Sequence, residues 1–160
     1  MKRYYLFLCA IILLVFTACN STTALNHFKK DPQSANAIQY TKKADLIYNK
    51  EINALIIGTY LNNISEEYEL DKIDSFLVGI HLVNKDEHDY LKNDYTITSN
   101  EKSPISRKKI DGKSKLVSTI PLKNSWANYY LIEFESSESQ NINIVFSHPT
   151  FGKTVLNFQK

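Results

Sequence analysis

From residue 51 to residue 159 the apolar side chains of this chain recur mostly at every second position, in short runs broken by turn residues. A period of two belongs to the β-strand, whose successive side chains point to opposite faces. Ile52, Ala54, Ile56 and Gly58 fall on one face of Glu51–Asn62, and Asn53, Leu55, Ile57 and Thr59 on the other. Both sets are mostly apolar, which is the pattern of a central strand covered on both sides. Ile73–Asn84 reads as a second long strand, followed by Asp94–Thr98, Leu116–Ile120, Asn128–Glu135, Ile142–Ser147 and Lys153–Gln159, with Ala44–Tyr48 as a weaker one. The helix candidates are Tyr40–Lys50 and the polar link Asn62–Asp71, which has room for one helical turn. Asp111-Gly112 predicts a hairpin between Arg107–Ile110 and Ser114–Ile120, because glycine tolerates positive φ. Asn84–Asp89, Ser136–Asn141 and His148–Gly152 are the other expected bends. About seven to nine short strands with frequent turns predict an all-β, antiparallel β-sandwich, with a small barrel as the alternative. Trp126 is the one tryptophan, just before Tyr129-Tyr130. It is expected to plug the space between sheets, and the tyrosine hydroxyls to find partners, as in a tyrosine corner.

The N-terminus carries an address. Met1-Lys2-Arg3 is followed by an apolar run from Tyr4 to Phe16 and then by Thr17-Ala18-Cys19. Cations, a greasy stretch and small residues are the parts of a secretory signal peptide. The run is shorter than the roughly 20 residues that span a bilayer. With cysteine at the first mature position, the segment resembles a bacterial lipoprotein signal, with Phe16 where the usual pattern has leucine. That resemblance implies removal of residues 1–18, a diacylglycerol on the Cys19 thiol and an acylated amine. The competing readings are an ordinary cleaved signal with a free cysteine, and an uncleaved anchor. Burial of each CH₂ contributes about 0.8 kcal/mol, and about two chains make attachment stable. Asn20 stands where an aspartate would mark inner-membrane retention in such lipoproteins, so the analogy leans toward the outer membrane, with its periplasmic or surface face left open. The expected organisation is a signal at 1–18, a lipidated flexible tether at 19–37 and a folded domain at 38–160. Leu25 and Phe28 are candidates to dock on that domain.

Cleavage changes the charge and cysteine arithmetic. Loss of Lys2 and Arg3 leaves 19 − 2 = 17 basic residues against 17 acidic ones, a net charge of zero. The basic precursor therefore gives no argument for nucleic-acid binding. Cys9 leaves with the signal and Cys19 is the acylation site, so no thiol remains for a disulfide, a metal cluster or a nucleophile. The domain must be held by its apolar core.

Catalytic patterns are sparse. Ile110–Ser114 ends like a phosphate-binding loop, but Arg107 stands where the first glycine is required, and the hairpin reading takes precedence. Neither a Gly-x-Ser-x-Gly elbow nor a His-Glu-x-x-His helix occurs. Of the histidines, His27 lies in the tether, His81 on a strand as a packed or surface ring, and His148-Pro149 marks a bend. Asp86-Glu87-His88-Asp89 reads as a solvated turn in preference to a cation site. Glu66, Glu67 and Glu69, and the pair Glu133 and Glu135, resemble a hydrolase pair by residue type alone. No catalytic residue, metal or cofactor is assigned. One charge pattern stands out. Residues 66–101 hold ten acids and three lysines, whereas residues 102–123 hold seven cations and one acid. The plain reading is that adjacent segments offset each other. The sharper one is a basic edge at Arg107, Lys108, Lys109, Lys113 and Lys115 that meets anionic lipid or polysaccharide.

Ala54–Asn62, Phe76–Ile80, Trp126–Phe134, Phe146-Ser147 and Gly152–Phe158 together resemble small campylobacterial-type lipoproteins with a variant immunoglobulin-like fold. The resemblance implies an outer-membrane-associated, non-enzymatic protein and carries over no site residues. The expected function is a binding or interaction module held to the membrane through acylated Cys19, with an envelope protein, a host protein or an anionic polysaccharide or lipid as partner. The alternative is an envelope hydrolase or small-ligand carrier, which a deep pocket with converging acids would mark.

Overall fold

The computed structural model describes residues 36–69, 72–83 and 85–160, all within the compact unit Gln33–Lys160. Cys19, Leu25, His27 and Phe28 lie outside the described residues. The described residues form eight strands: β1 (Thr41–Tyr48), β2 (Glu51–Tyr60), β3 (Ile73–Leu82), β4 (Thr96–Ser99), β5 (Ser106–Ile110), β6 (Asn128–Glu135), β7 (Asn141–His148) and β8 (Gly152–Gln159). They form a five-stranded sheet in the order β1-β2-β3-β6-β5 and a three-stranded sheet in the order β4-β7-β8. Every pairing is antiparallel. The arrangement is consistent with a β-sandwich and is not a barrel.

The two apolar faces expected of residues 51–62 have their cause in two cores, and β3 contributes to both. Ala54, Ile56, Phe76, Val78, Ile80, Ile132 and Phe134 of the larger sheet pack with Ile142, Ile144, Phe146, Leu156 and Phe158 of the smaller one. Phe76 sits among rings, with centroids 5.0 Å from Tyr60, 6.0 Å from Phe134 and 5.2 Å from Phe158. The opposite face of the larger sheet has a second core, in which Leu61, Leu77 and Tyr129 meet Val117 and Ile120.

That second core is where the sequence expectation fails. Leu116–Ile120 is not a strand, and Asp111-Gly112 does not join a hairpin. Asp111 turns the chain by accepting from the Lys113 and Ser114 amides at 2.8 and 2.9 Å. Ser114 then caps a short helix α1 (Lys115–Thr119) by accepting from the Val117 amide at 3.3 Å. Helical spacing of three puts Val117 and Ile120 together on the sheet. Period-two alternation would have paired Leu116 and Ile120 with the polar Ser118.

Trp126 is likewise not an inter-sheet plug: it is 76% exposed. Phenylalanine, isoleucine and leucine already fill the space between the sheets, and residues 111–127 cross outside it. The aromatic buried beneath the crossing segment is Tyr129, whose ring covers its cross-strand partner Gly79, so closely that a Cβ there would lie 2.7 Å from the ring. Its hydroxyl accepts from the Asn124 amide at 2.9 Å and donates to the Asn124 carbonyl at 3.1 Å, pinning the crossing segment. Tyr40–Lys50 is a strand and its turn, not a helix. Leu46 pairs with Ala54 in the core, and Asn49 and Lys50, with φ of 52° and 68°, close a two-residue hairpin. The link Asn62–Asp71 does hold a turn of 3-10 helix, Glu66–Tyr68.

One carboxylate is enclosed. Asp74, on β3, is 3% exposed. It accepts from the Tyr60 hydroxyl at 3.0 Å and the Ser136 hydroxyl at 3.2 Å, and Lys160 Nζ lies 3.2 Å from its second oxygen. Lys160 also donates to Ser136 Oγ and the Ser137 carbonyl, each at 2.6 Å. The cluster ties β2 and β3 to the residue that follows β8. Burial, and then the Asp74 charge, push the Tyr60 phenol well above its ordinary value.

Two outcomes follow. Gly79→Ala drives a methyl into the Tyr129 ring, which costs about 1–3 kcal/mol as overpacking; Gly112→Ala, whose nearest neighbour is 3.9 Å away, serves as the near-neutral control, and thermal unfolding of both checks this. Tyr60 holds its proton more tightly folded than unfolded, so its contribution is fully present below its ordinary pKa of 10.0 and is lost as pH rises above it. Denaturant unfolding between about pH 9 and about pH 11 should therefore show a shallower alkaline loss in Tyr60→Phe than in wild type.

Candidate functional site

The five basic residues singled out in the sequence come together at one edge of the larger sheet. Its last strand, β5, carries Arg107, Lys108 and Lys109, all exposed. Pairing with β6 places Arg107 opposite Ile132, Lys108 opposite Leu131 and Lys109 opposite Tyr130. Alternation therefore sends Arg107 and Lys109 to the face of the inter-sheet core and Lys108 to the face covered by residues 111–127. Lys113 lies in the turn and Lys115 opens α1, both exposed. Among the described residues none of these five makes an ion pair; the pairs formed are Lys43–Asp45, Lys92–Glu87, Lys102–Glu135 and Lys160–Asp74. Cations on an edge strand also discourage strand-to-strand association.

The acidic segment partly offsets this edge on its inner side. Glu87 is held below the usual carboxylate range, first by a 2.8 Å bond from Lys92, then by the Asp89 amide, with the Lys92 and Lys109 charges as smaller causes. Burial is the main cause that raises the Tyr90 phenol, and Arg107 acts against it. Asp89 accepts from the Tyr130 hydroxyl at 3.3 Å and from the Leu91 amide at 3.1 Å. Asp86–Asp89 is thus a built turn. Its His88 ring stacks on His81 at 5.4 Å, while His81 Nδ1 lies 3.2 Å from the Trp126 carbonyl. Among the described residues no group of three or more His, Cys, Asp and Glu is placed to hold a metal ion.

The other chemistry-bearing residues are engaged in structure. His148 Nδ1 accepts from the Thr150 and Phe151 amides at 3.0 and 3.3 Å, which forms the bend the sequence suggests. Glu133 and Glu135 share a face of β6; Glu135 is exposed and bonds Lys102 at 3.0 Å, and Glu133 lies opposite Ser75 and Ser106.

Two concavities went unnoticed in the sequence. One, of about 690 Å³, is lined by Gln39, Tyr40, Asn141, Asn143, Asn157 and Gln159 with Lys42, Phe158 and Lys160. The readable signal was the amide at every second position in both Asn141-Ile-Asn143 and Asn157-Phe-Gln159. A second, of about 370 Å³, lies between the 3-10 turn and α1, against Leu61, Tyr68 and Leu116. It arises from α1, which the period-two reading had replaced by a strand.

No family model, curated protein or solved structure matches this chain.

The exposed Trp126 and the buried Tyr129 should separate cleanly in stability. Trp126→Ala is expected to stay within about 0.5 kcal/mol of wild type. Tyr129→Phe loses the clasp on Asn124 and costs about 1 kcal/mol or more, read from urea midpoints.

Proposed function

We propose that this chain is an envelope lipoprotein, held at the outer membrane through acylated Cys19, whose immunoglobulin-like module binds partners without catalysing a reaction. The N-terminal run ending at Cys19 supports the anchor. The strand order supports the fold: β2-β3-β6-β5 and β4-β7-β8 follow the ABED and CFG order of a constant-type immunoglobulin sandwich, with β1 added beside the first strand. Two features of that family are replaced. No cysteine bridges the sheets, and the tryptophan lies outside them. Phe76 and its ring neighbours occupy the centre instead.

The observation that carries the binding role is the β5 edge, where Arg107, Lys108, Lys109, Lys113 and Lys115 are exposed without ion-pair partners among the described residues. A lipid anchor brings such an edge within reach of anionic headgroups, where each cation contributes about 1 kcal/mol. Two measurements test this reading. Cys19→Ala should accumulate a precursor that keeps residues 1–18 and incorporates no labelled fatty acid; processing and release like wild type would sink the anchor. For unacylated protein, Lys108→Glu with Lys109→Glu should weaken binding to phosphatidylglycerol vesicles by at least about 2 kcal/mol, roughly thirtyfold. Binding should be absent from phosphatidylcholine vesicles. Equal binding by the charge-reversed protein would remove the basic edge from the account.

A further inference from the structure

We infer that the amide-lined cleft on the smaller sheet is a binding site for a neutral oligosaccharide. The cleft is separate from the basic edge, because β1 borders it and β1 and β5 are the opposite edges of the larger sheet.

The ladder between β7 and β8 pairs Asn141 with Gln159 and Asn143 with Asn157. The residues between them, Ile142 and Phe158, are buried, so all four amides stand exposed on the outward face. Cross-strand neighbours of this kind lie about 5 Å apart, and successive ones along a strand about 7 Å. The result is a two-by-two array of carboxamides with Tyr40, half-buried, as an aromatic wall. Among the described residues no hydrogen bond engages the side-chain amides of these four residues. The backbone beneath them is fixed. Asn143 N donates to Asn100 Oδ1 at 3.0 Å, Asn100 Nδ2 donates to the Asn141 carbonyl at 3.2 Å, and Asn100 N donates to the Asn143 carbonyl at 3.1 Å. The array is therefore presented on a rigid platform, which lowers the ordering cost of binding.

The chemistry selects the ligand. A carboxamide donates and accepts at once, as a pair of adjacent sugar hydroxyls does, and binding it buries no charge. An aromatic wall suits the C–H face of a pyranose ring. Asp, Glu, Lys and Arg make up 22% of the chain, yet the outward faces of β4, β7 and β8 hold a single charge, Lys153. Within the cleft, Lys160 is turned to Asp74, Ser136 and Ser137. Lys42 is left at the rim as one cation, too few to hold a polyanion.

The test uses the full-length chain in detergent, titrated calorimetrically with maltohexaose, chitohexaose and mannohexaose, and with an oligogalacturonate as the anionic comparison. At least one neutral probe should bind, with an affinity unchanged between about 50 and about 500 mM salt. Asn143→Ala with Asn157→Ala, and separately Gln159→Ala, should weaken that binding about tenfold or more without moving Tm, whereas Lys108→Glu with Lys109→Glu should leave it unaltered. The inference fails if no neutral probe binds, if only the oligogalacturonate binds, or if binding survives the amide substitutions. It also fails if sedimentation shows that those substitutions act by breaking a self-association through this face.

Discussion

Everything in this fold rests on the burial of β2 and β3 from both sides. A sheet normally leaves one face to water in an antiparallel protein. Here one face meets the smaller sheet and the other meets residues 111–127. With no cysteine in the folded part, these two apolar layers are what offset the entropy of ordering the chain. The two glycines of the paired strands show how tight the layers are. Gly58 leaves room for Leu156 and Phe158 on one face, and Gly79 for the Tyr129 ring on the other. Each is small because something large from another layer already occupies the place of its side chain.

Asp74 adds direction to that non-directional packing. A buried carboxylate is costly unless its oxygens are bonded and its charge is met. Tyr60, Ser136 and Lys160 do both, and they come from three separate parts of the chain. Removing a partner would leave a charge in the core incompletely satisfied, so the cluster favours the one arrangement in which β2, β3 and the end of β8 meet. Tyr129 plays a comparable part on the other face, since its hydroxyl fixes where the crossing segment passes before β6 begins.

The exposed chemistry divides between the two edges of the larger sheet. At β5 the side chains are long and cationic and reach into solvent, a surface suited to attraction at a distance and sensitive to salt. Beside β1 the side chains are short, uncharged amides on a rigid ladder, a surface suited to contact.

The sequence by itself determined the strands whose two faces differ, or are both apolar, because side-chain alternation follows from backbone geometry alone: Glu51–Tyr60, Ile73–Leu82, Asn128–Glu135 and the hairpin of β7 and β8 were all legible. It also placed the five cations close together, since they are near neighbours in the chain. Tertiary structure decided the rest. Leu116–Ile120 alternates locally, yet Ser114 caps a helix there because the sheet beneath offers a surface for Val117 and Ile120. Trp126 is the largest apolar side chain, yet it lies outside because the space between the sheets was filled from other strands. The amide cleft needed β1, β7 and β8 in one place, and such an assembly has no period for a local pattern to reveal, because it depends on which strands become neighbours across about 120 residues of chain.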